Sequence, residues 1–330
     1  GQMMFAKGIY NVLGRRMYDE CLLLFSDNQI KLKNIISKTL FSFFLKNHLR
    51  DRKVENLKCS IEEFEYITSD KKIDYINSLL QVGFDTIDFG SFVSPKAIPQ
   101  MRDTAQVLDK LEVGFSASRL LAIVANQRGA AEASSFDQIT YLGYPFSVSE
   151  EFQQRNTNAS IAASLSRVEE IQRICIQRNK KLVIYISMGF GNPYGEPWSP
   201  EIVISWVRKL AALGINIIAL ADTVGVSSPE NISLLFNELI PALPGVEFGA
   251  HLHSHPFTWK EKVEAAFHSG CSRFDAALNG IGGCPMAEDK LVGNLATENL
   301  IGYFGGTTAL NLNTSAFENS LRIASELFHG

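Results

Sequence analysis

The chain has 330 residues, with 46% hydrophobic and 20% charged side chains, which suits a packed globular protein and excludes a disordered one. Its net charge of −4 hides a split: residues 1–58 hold 11 Lys/Arg against 5 Asp/Glu, leaving 20 against 30 for the rest. The acidic body excludes a nucleic-acid footprint, which needs a clustered basic face, and no apolar run approaches the roughly 18 residues of a membrane span.

Taken in chain order, residues 1–50 show no strand–helix rhythm and read as a basic helical or irregular segment. Their most apolar run, 39–45 (TLFSFFL), is short and stops at Lys46. A first strand is expected just before the helix at 70–82, with 55–61 (ENLKCSI) the nearest candidate. Apolar runs then recur at 85–90, 119–124, 138–143, 181–188, 216–223, 246–253 and 273–280. Most are apolar on both faces, as buried parallel strands are. Between them lie helical patterns, including 70–82, 161–176, 200–213 and 229–239, and two of these open with proline near the first turn. Strand–helix alternation at this spacing implies parallel βαβ units. The expected fold is a (β/α)8 TIM barrel over residues 58–330, behind an irregular N-terminal extension at 1–57. The rival, a doubly wound sheet, lacks a GxGxxG after its first strand.

Cys21, Cys59, Cys175, Cys271 and Cys284 are odd in number and contain no CxxC pair, which suits reduced thiols in an intracellular protein. Asp19 and Glu20 interrupt any secretory or transit leader.

Barrel active sites gather at the C-terminal ends of the strands. Polar residues expected there are Asp88 and Ser91, Tyr185 and Asn192, Asp222 and Thr223, His251 and His253, and the Gly282-Gly283-Cys284 and Gly293-Asn294 loops. Residues two apart on a strand share a face, so His251 and His253 present paired imidazoles, a metal-binding spacing. The alternative is a pair of hydrogen-bonded rim histidines. Asn294 is a third ligand or a turn residue. Mixed N/O ligation suits Mg²⁺ or Mn²⁺. Cys284 in Gly-Gly-Cys-Pro is an accessible thiol for nucleophilic or acid–base work, or an inert turn thiol. Asp222, inside an apolar run, needs a hydrogen-bond partner. Tyr185 is a site residue or simply core.

The stretches 85–101 (DTIDFGSFVSPKAIPQM), 221–226 (ADTVGV), 249–253 (GAHLH) and 282–298 (GGCPMAEDKLVGNLATE) resemble the 3-hydroxy-3-methylglutaryl-CoA lyase family, most of all its bacterial branch. The resemblance covers roughly residues 64–310. It implies a divalent-metal TIM barrel that cleaves 3-hydroxy-3-methylglutaryl-CoA to acetoacetate and acetyl-CoA, as in leucine degradation. By position it implies His251, His253 and Asn294 as ligands of Mg²⁺ or Mn²⁺, and Cys284 as the catalytic loop cysteine. Asp88, Asp222 and Tyr185 match further active-site positions. It also implies an acyl-CoA substrate, a homodimer, and a cytoplasmic or mitochondrial-matrix location, with no nucleic-acid or membrane partner.

One motif departs from the pattern. The family's first strand ends in an Arg-Asp pair that supplies a metal ligand and an enolate stabiliser. The expected place here reads Lys58-Cys59-Ser60-Ile61-Glu62-Glu63, and the Arg50-Asp51 pair lies upstream. Losing a positioned oxyanion stabiliser costs roughly 10²–10³ in rate, so impaired activity is expected. The other expectations are a non-catalytic barrel subunit and an acyl-CoA condensing enzyme. The cysteine loop argues against the latter.

Overall fold

The computed structural model describes residues 31–35, 67–282 and 292–328. Parallel strands close into one barrel in the order β1 to β8. They are β1 Lys31–Ile35, β2 Thr86–Ser91, β3 Arg119–Ile123 and β4 Ile139–Ser147, followed by β5 Lys181–Ser187, β6 Ile217–Ala221, β7 Glu247–His251 and β8 Arg273–Ala276.

The closing strand is a correction to the sequence reading. β1 pairs with β2 at Lys33–Thr86 and with β8 at Lys31–Arg273, so the barrel is closed by residues from the basic segment. The candidate at 55–61 lies outside the described residues. KLKNI does not stand out in the sequence, because lysines at alternate positions do not make the doubly apolar run of a buried parallel strand.

The helices are α1 Ser69–Leu80, α2 Thr104–Asp109, α3 Gln127–Ser134 and α4 Glu150–Thr157, then α5 Ile161–Gln177, α6 Pro200–Ala212, α7 Pro229–Ala242 and α8 Trp259–His268. The chain ends with α9 Thr297–Tyr303, α10 Gly306–Ala309 and α11 Thr314–Phe328. Their starts are written in the sequence. Ser160 and Ser199 each accept a hydrogen bond from the backbone three residues on, and Ser228 with Asn231 forms a reciprocal capping box. Pro200 and Pro229 occupy first-turn positions, where a missing N–H costs nothing.

Two apolar layers result. Ile76, Leu79, Val107, Ile171, Val207 and Leu235 pack helices onto the outside of the sheet. Leu121, Tyr141, Val183, Tyr185, Ile217 and Ala219 fill the barrel interior. Each fully buried aliphatic side chain contributes about 1.5–3 kcal/mol, so these two layers hold the barrel together. No helix among the described residues is long and apolar enough to cross a membrane.

Candidate active site

β7 ends at His251, and His253 lies two residues beyond it. His253 forms a backbone bridge with Asn294, and the Ser254 N–H donates to the Gly293 carbonyl at 3.0 Å. The HxH turn and the Gly-Asn segment therefore lie side by side, although 41 residues separate His253 from Asn294 in sequence. Glycines permit this approach. Gly280 sits at φ +61°, and a Cβ on Gly293 would come within 2.9 Å of the Gly280 carbonyl oxygen. The Asn294 Nδ2 donates to the Ile281 carbonyl at 2.8 Å, which fixes the amide's orientation.

The His251 and His253 rings lie 5.5 Å apart, and Tyr185 meets His251 edge-on at 5.7 Å. Asp275 on β8 pairs with the His251 Nδ1 at 3.0 Å, both side chains being almost fully buried. A carboxylate on one ring nitrogen fixes the tautomer and aims the other nitrogen, the usual support behind a metal-ligating imidazole. Two imidazoles and an amide are donor types that a borderline or hard divalent cation accepts. Among the described residues no group of three or more His, Cys, Asp or Glu side chains is placed to hold a metal ion, so within them a cation would need the Asn294 amide beside the two histidines.

Asp222 follows β6 and is 1% exposed. Its oxygens accept from the Ser227 N–H at 3.1 and 3.2 Å, from the Ser227 hydroxyl, and from the Lys262 Nζ at 2.9 Å. A buried carboxylate needs this much compensation. The Asp222 N–H donates to the His251 carbonyl at 3.0 Å, which joins the ends of β6 and β7. Thr223 holds the neighbouring turn, where its Oγ1 accepts from the Met188 N–H at 2.8 Å. Met188 closes β5 with φ +56°, a left-handed conformation that costs a non-glycine residue roughly 1–3 kcal/mol and is held by its surroundings.

The remaining residues separate into groups. Asp88 lies on β2 with no exposure, and Tyr185 is 1% exposed in the barrel interior. The Ser91 hydroxyl donates to the Ile123 carbonyl and accepts from the Val93 N–H, so it closes its own turn. Asn192 does likewise. Its Oδ1 accepts from the N–H groups of Tyr194 and Glu196, and its Nδ2 donates to the Glu196 carbonyl. Cys284 lies outside the described residues. Cys175 and Cys271 are buried, and burial pushes both thiols up to about 12, which keeps them unreactive. Burial also raises the Glu298 carboxyl, which accepts from the Asn279 N–H at the start of α9.

Sequence reasoning missed Asp275, Lys262 and Ser227. Asp275 carries the signal that marked Asp222, a carboxylate inside an apolar strand (RFDAAL). Lys262 adjoins the buried Val263 and Ala266 on one stripe of α8, an anomalous place for a lysine.

An HMGL-like family model matches residues 62–317. The cytoplasmic 3-hydroxy-3-methylglutaryl-CoA lyase of Rattus norvegicus is 32% identical over 250 residues, 75% of this chain and 71% of the relative. The (R)-citramalyl-CoA lyase of Chloroflexus aurantiacus is 32% identical over 247 residues, 71% of this chain and 76% of the relative. Among solved structures, an HMG-CoA lyase from Acinetobacter baumannii, in complex with coenzyme A and 3-methylmalate, superposes with a TM-score of 0.76 at 27% identity, covering 90% of each chain.

Proposed function

The chain belongs to the HMGL-like family of CoA lyases, and from that premise we propose that it cleaves 3-hydroxy-3-methylglutaryl-CoA to acetoacetate and acetyl-CoA with the help of Mg²⁺ or Mn²⁺. The observation that carries this reading is the convergence of His251, His253 and Asn294 at one end of the barrel, with Asp275 behind His251. These three side chains would hold the cation. When bound, it supplies polarisation of the substrate's hydroxyl and carbonyl oxygens.

The chain's own groups carry the protons. A base takes the tertiary hydroxyl proton, the electron pair of the O–H bond becomes the ketone C=O, and the carbon–carbon bond breaks. The electrons of that bond pass to the acetyl-CoA enolate, which is then protonated. Cys284, on its glycine loop, is assigned to proton transfer. Asp88 is buried on β2, and Tyr185 sits in the barrel interior against His251. Asp222 acts by position, since Ser227 and Lys262 already engage its oxygens. Ser91, Asn192 and Thr223 shape the loops that receive the acyl-CoA. The same reading makes the protein a homodimer of the cytoplasm or mitochondrial matrix, in line with relatives described as cytoplasmic and as mitochondrial.

β1 sets the rate expectation. The residues that follow it, Ile36-Ser37-Lys38-Thr39-Leu40, contain no carboxylate and no arginine. The family's first-strand Arg-Asp pair thus has no counterpart directly after this strand, and turnover should be reduced by roughly 10²–10³ on loss of the oxyanion stabiliser. This departure also favours a second reading, a barrel that binds cation and acyl-CoA without cleaving it. A coupled assay for acetoacetate, run with calorimetric metal titration, separates the two: cation binding with product supports the lyase, and cation binding without product supports the binding subunit.

A further inference from the structure

We propose that Lys262 is a positioning residue, which from α8 ties the Asp222 carboxylate to the backbone of His253 and thereby sets the imidazole pair for a divalent cation. The proposal rests on the metal reading of His251, His253 and Asn294 given above. Lys262 is 4% exposed, and its ammonium donates to the Asp222 Oδ2 at 2.9 Å, the His253 carbonyl at 3.0 Å and the Gly225 carbonyl at 3.1 Å. An ammonium has three N–H donors, and three acceptors surround this one.

The choice of acceptors is informative. A lysine serving only as counter-charge for Asp222 needs no bond to the HxH turn. Here two of the three bonds go to backbone carbonyls, one on the β6 loop and one on the second histidine itself. The Asp222 N–H already holds the His251 carbonyl from the other side. Asp222 and Lys262 together therefore brace the backbone of both histidines, while Asp275 orients the first ring.

The test uses the full-length protein, Mn²⁺ as the probe in titration calorimetry, and thermal denaturation alongside. Lys262→Met keeps the stem and removes the donors, but it leaves Asp222 buried without its cation and will lower stability. The double variant D222N/K262M removes both buried charges. The expected result is that the double variant recovers most of the thermal stability lost in K262M while Mn²⁺ still binds about 10- to 100-fold more weakly than to the wild type, the range seen when support behind a metal ligand is removed. Steady-state kinetics should show a higher Mn²⁺ requirement in both variants. Wild-type Mn²⁺ affinity in the double variant would overturn the proposal and leave Lys262 a counter-charge. A double variant that does not fold also overturns it, by making Lys262 a folding residue. No Mn²⁺ binding by the wild type would instead sink the metal reading, and this inference with it.

Discussion

Asp275 is the sharpest place to perturb the site. Its Oδ2 accepts from the His251 Nδ1 at 3.0 Å, with both side chains at 1–2% exposure. A buried hydrogen bond to a charged group contributes about 1.5–3 kcal/mol net. At about 1.4 kcal/mol per decade, Asp275→Ala should weaken Mn²⁺ binding about 10- to 100-fold. Asp275→Asn keeps the volume and offers a neutral acceptor, which retains about 0.5–1.5 kcal/mol of the bond and should give an intermediate loss. Calorimetric titration of Mn²⁺ into each full-length variant measures the series, with thermal melts to establish folding. The expected order of affinity is wild type, then D275N, then D275A. A folded D275A with wild-type affinity would refute the coupling between this carboxylate and the histidine.

Other perturbations probe the frame around the site. Thr223→Val removes the acceptor for the Met188 N–H. It should destabilise the protein by about 1–3 kcal/mol in urea titration, and a change near zero would contradict the assignment. Burial raises the Glu298 carboxyl, so the folded chain keeps a proton that the unfolded chain releases near pH 4.3, and this contribution to stability is lost as pH rises through the raised value. Glu298→Gln should therefore gain stability relative to wild type as pH rises from about 4.3 and level off above the raised value, and a pH-independent difference would argue against it. Cys175 and Cys271, with thiols pushed up to about 12, should resist iodoacetamide at pH 8 in the native protein. Labelling of Cys284 should abolish activity. Peptide mass spectrometry that finds Cys175 or Cys271 modified in folded protein would count against the burial argument.

Strands β2 to β8 were legible because parallel strands buried on both faces leave apolar runs bounded by turn residues. Their ends were less so: the run at 273–280 stops as strand at Ala276, and β4 continues to Ser147. β1 was illegible, since KLKNI lacks the apolar run and is placed by pairing with both neighbours. The paired histidines were visible from their spacing, but the geometry behind it differs in detail. Only His251 is in the strand, and His253 is placed by its bridge to Asn294. Asp222, a carboxylate in an apolar run, needs a partner, yet nothing local names Lys262, 40 residues away on a helix. Asp275, 24 residues from His251, was hidden for the same reason. Local pattern marks which residues are anomalous; the closed barrel decides which anomalies meet.

The most direct measurement is product release from 3-hydroxy-3-methylglutaryl-CoA by the full-length chain at saturating Mg²⁺ or Mn²⁺, with (R)-citramalyl-CoA run in parallel. Equimolar acetoacetate and acetyl-CoA, abolished by chelation and restored by the cation, is the expected result, at a rate reduced by roughly 10²–10³ from that of an intact first-strand Arg-Asp site. Folded, cation-loaded protein that yields no acetoacetate at any Mg²⁺ or Mn²⁺ concentration would contradict it.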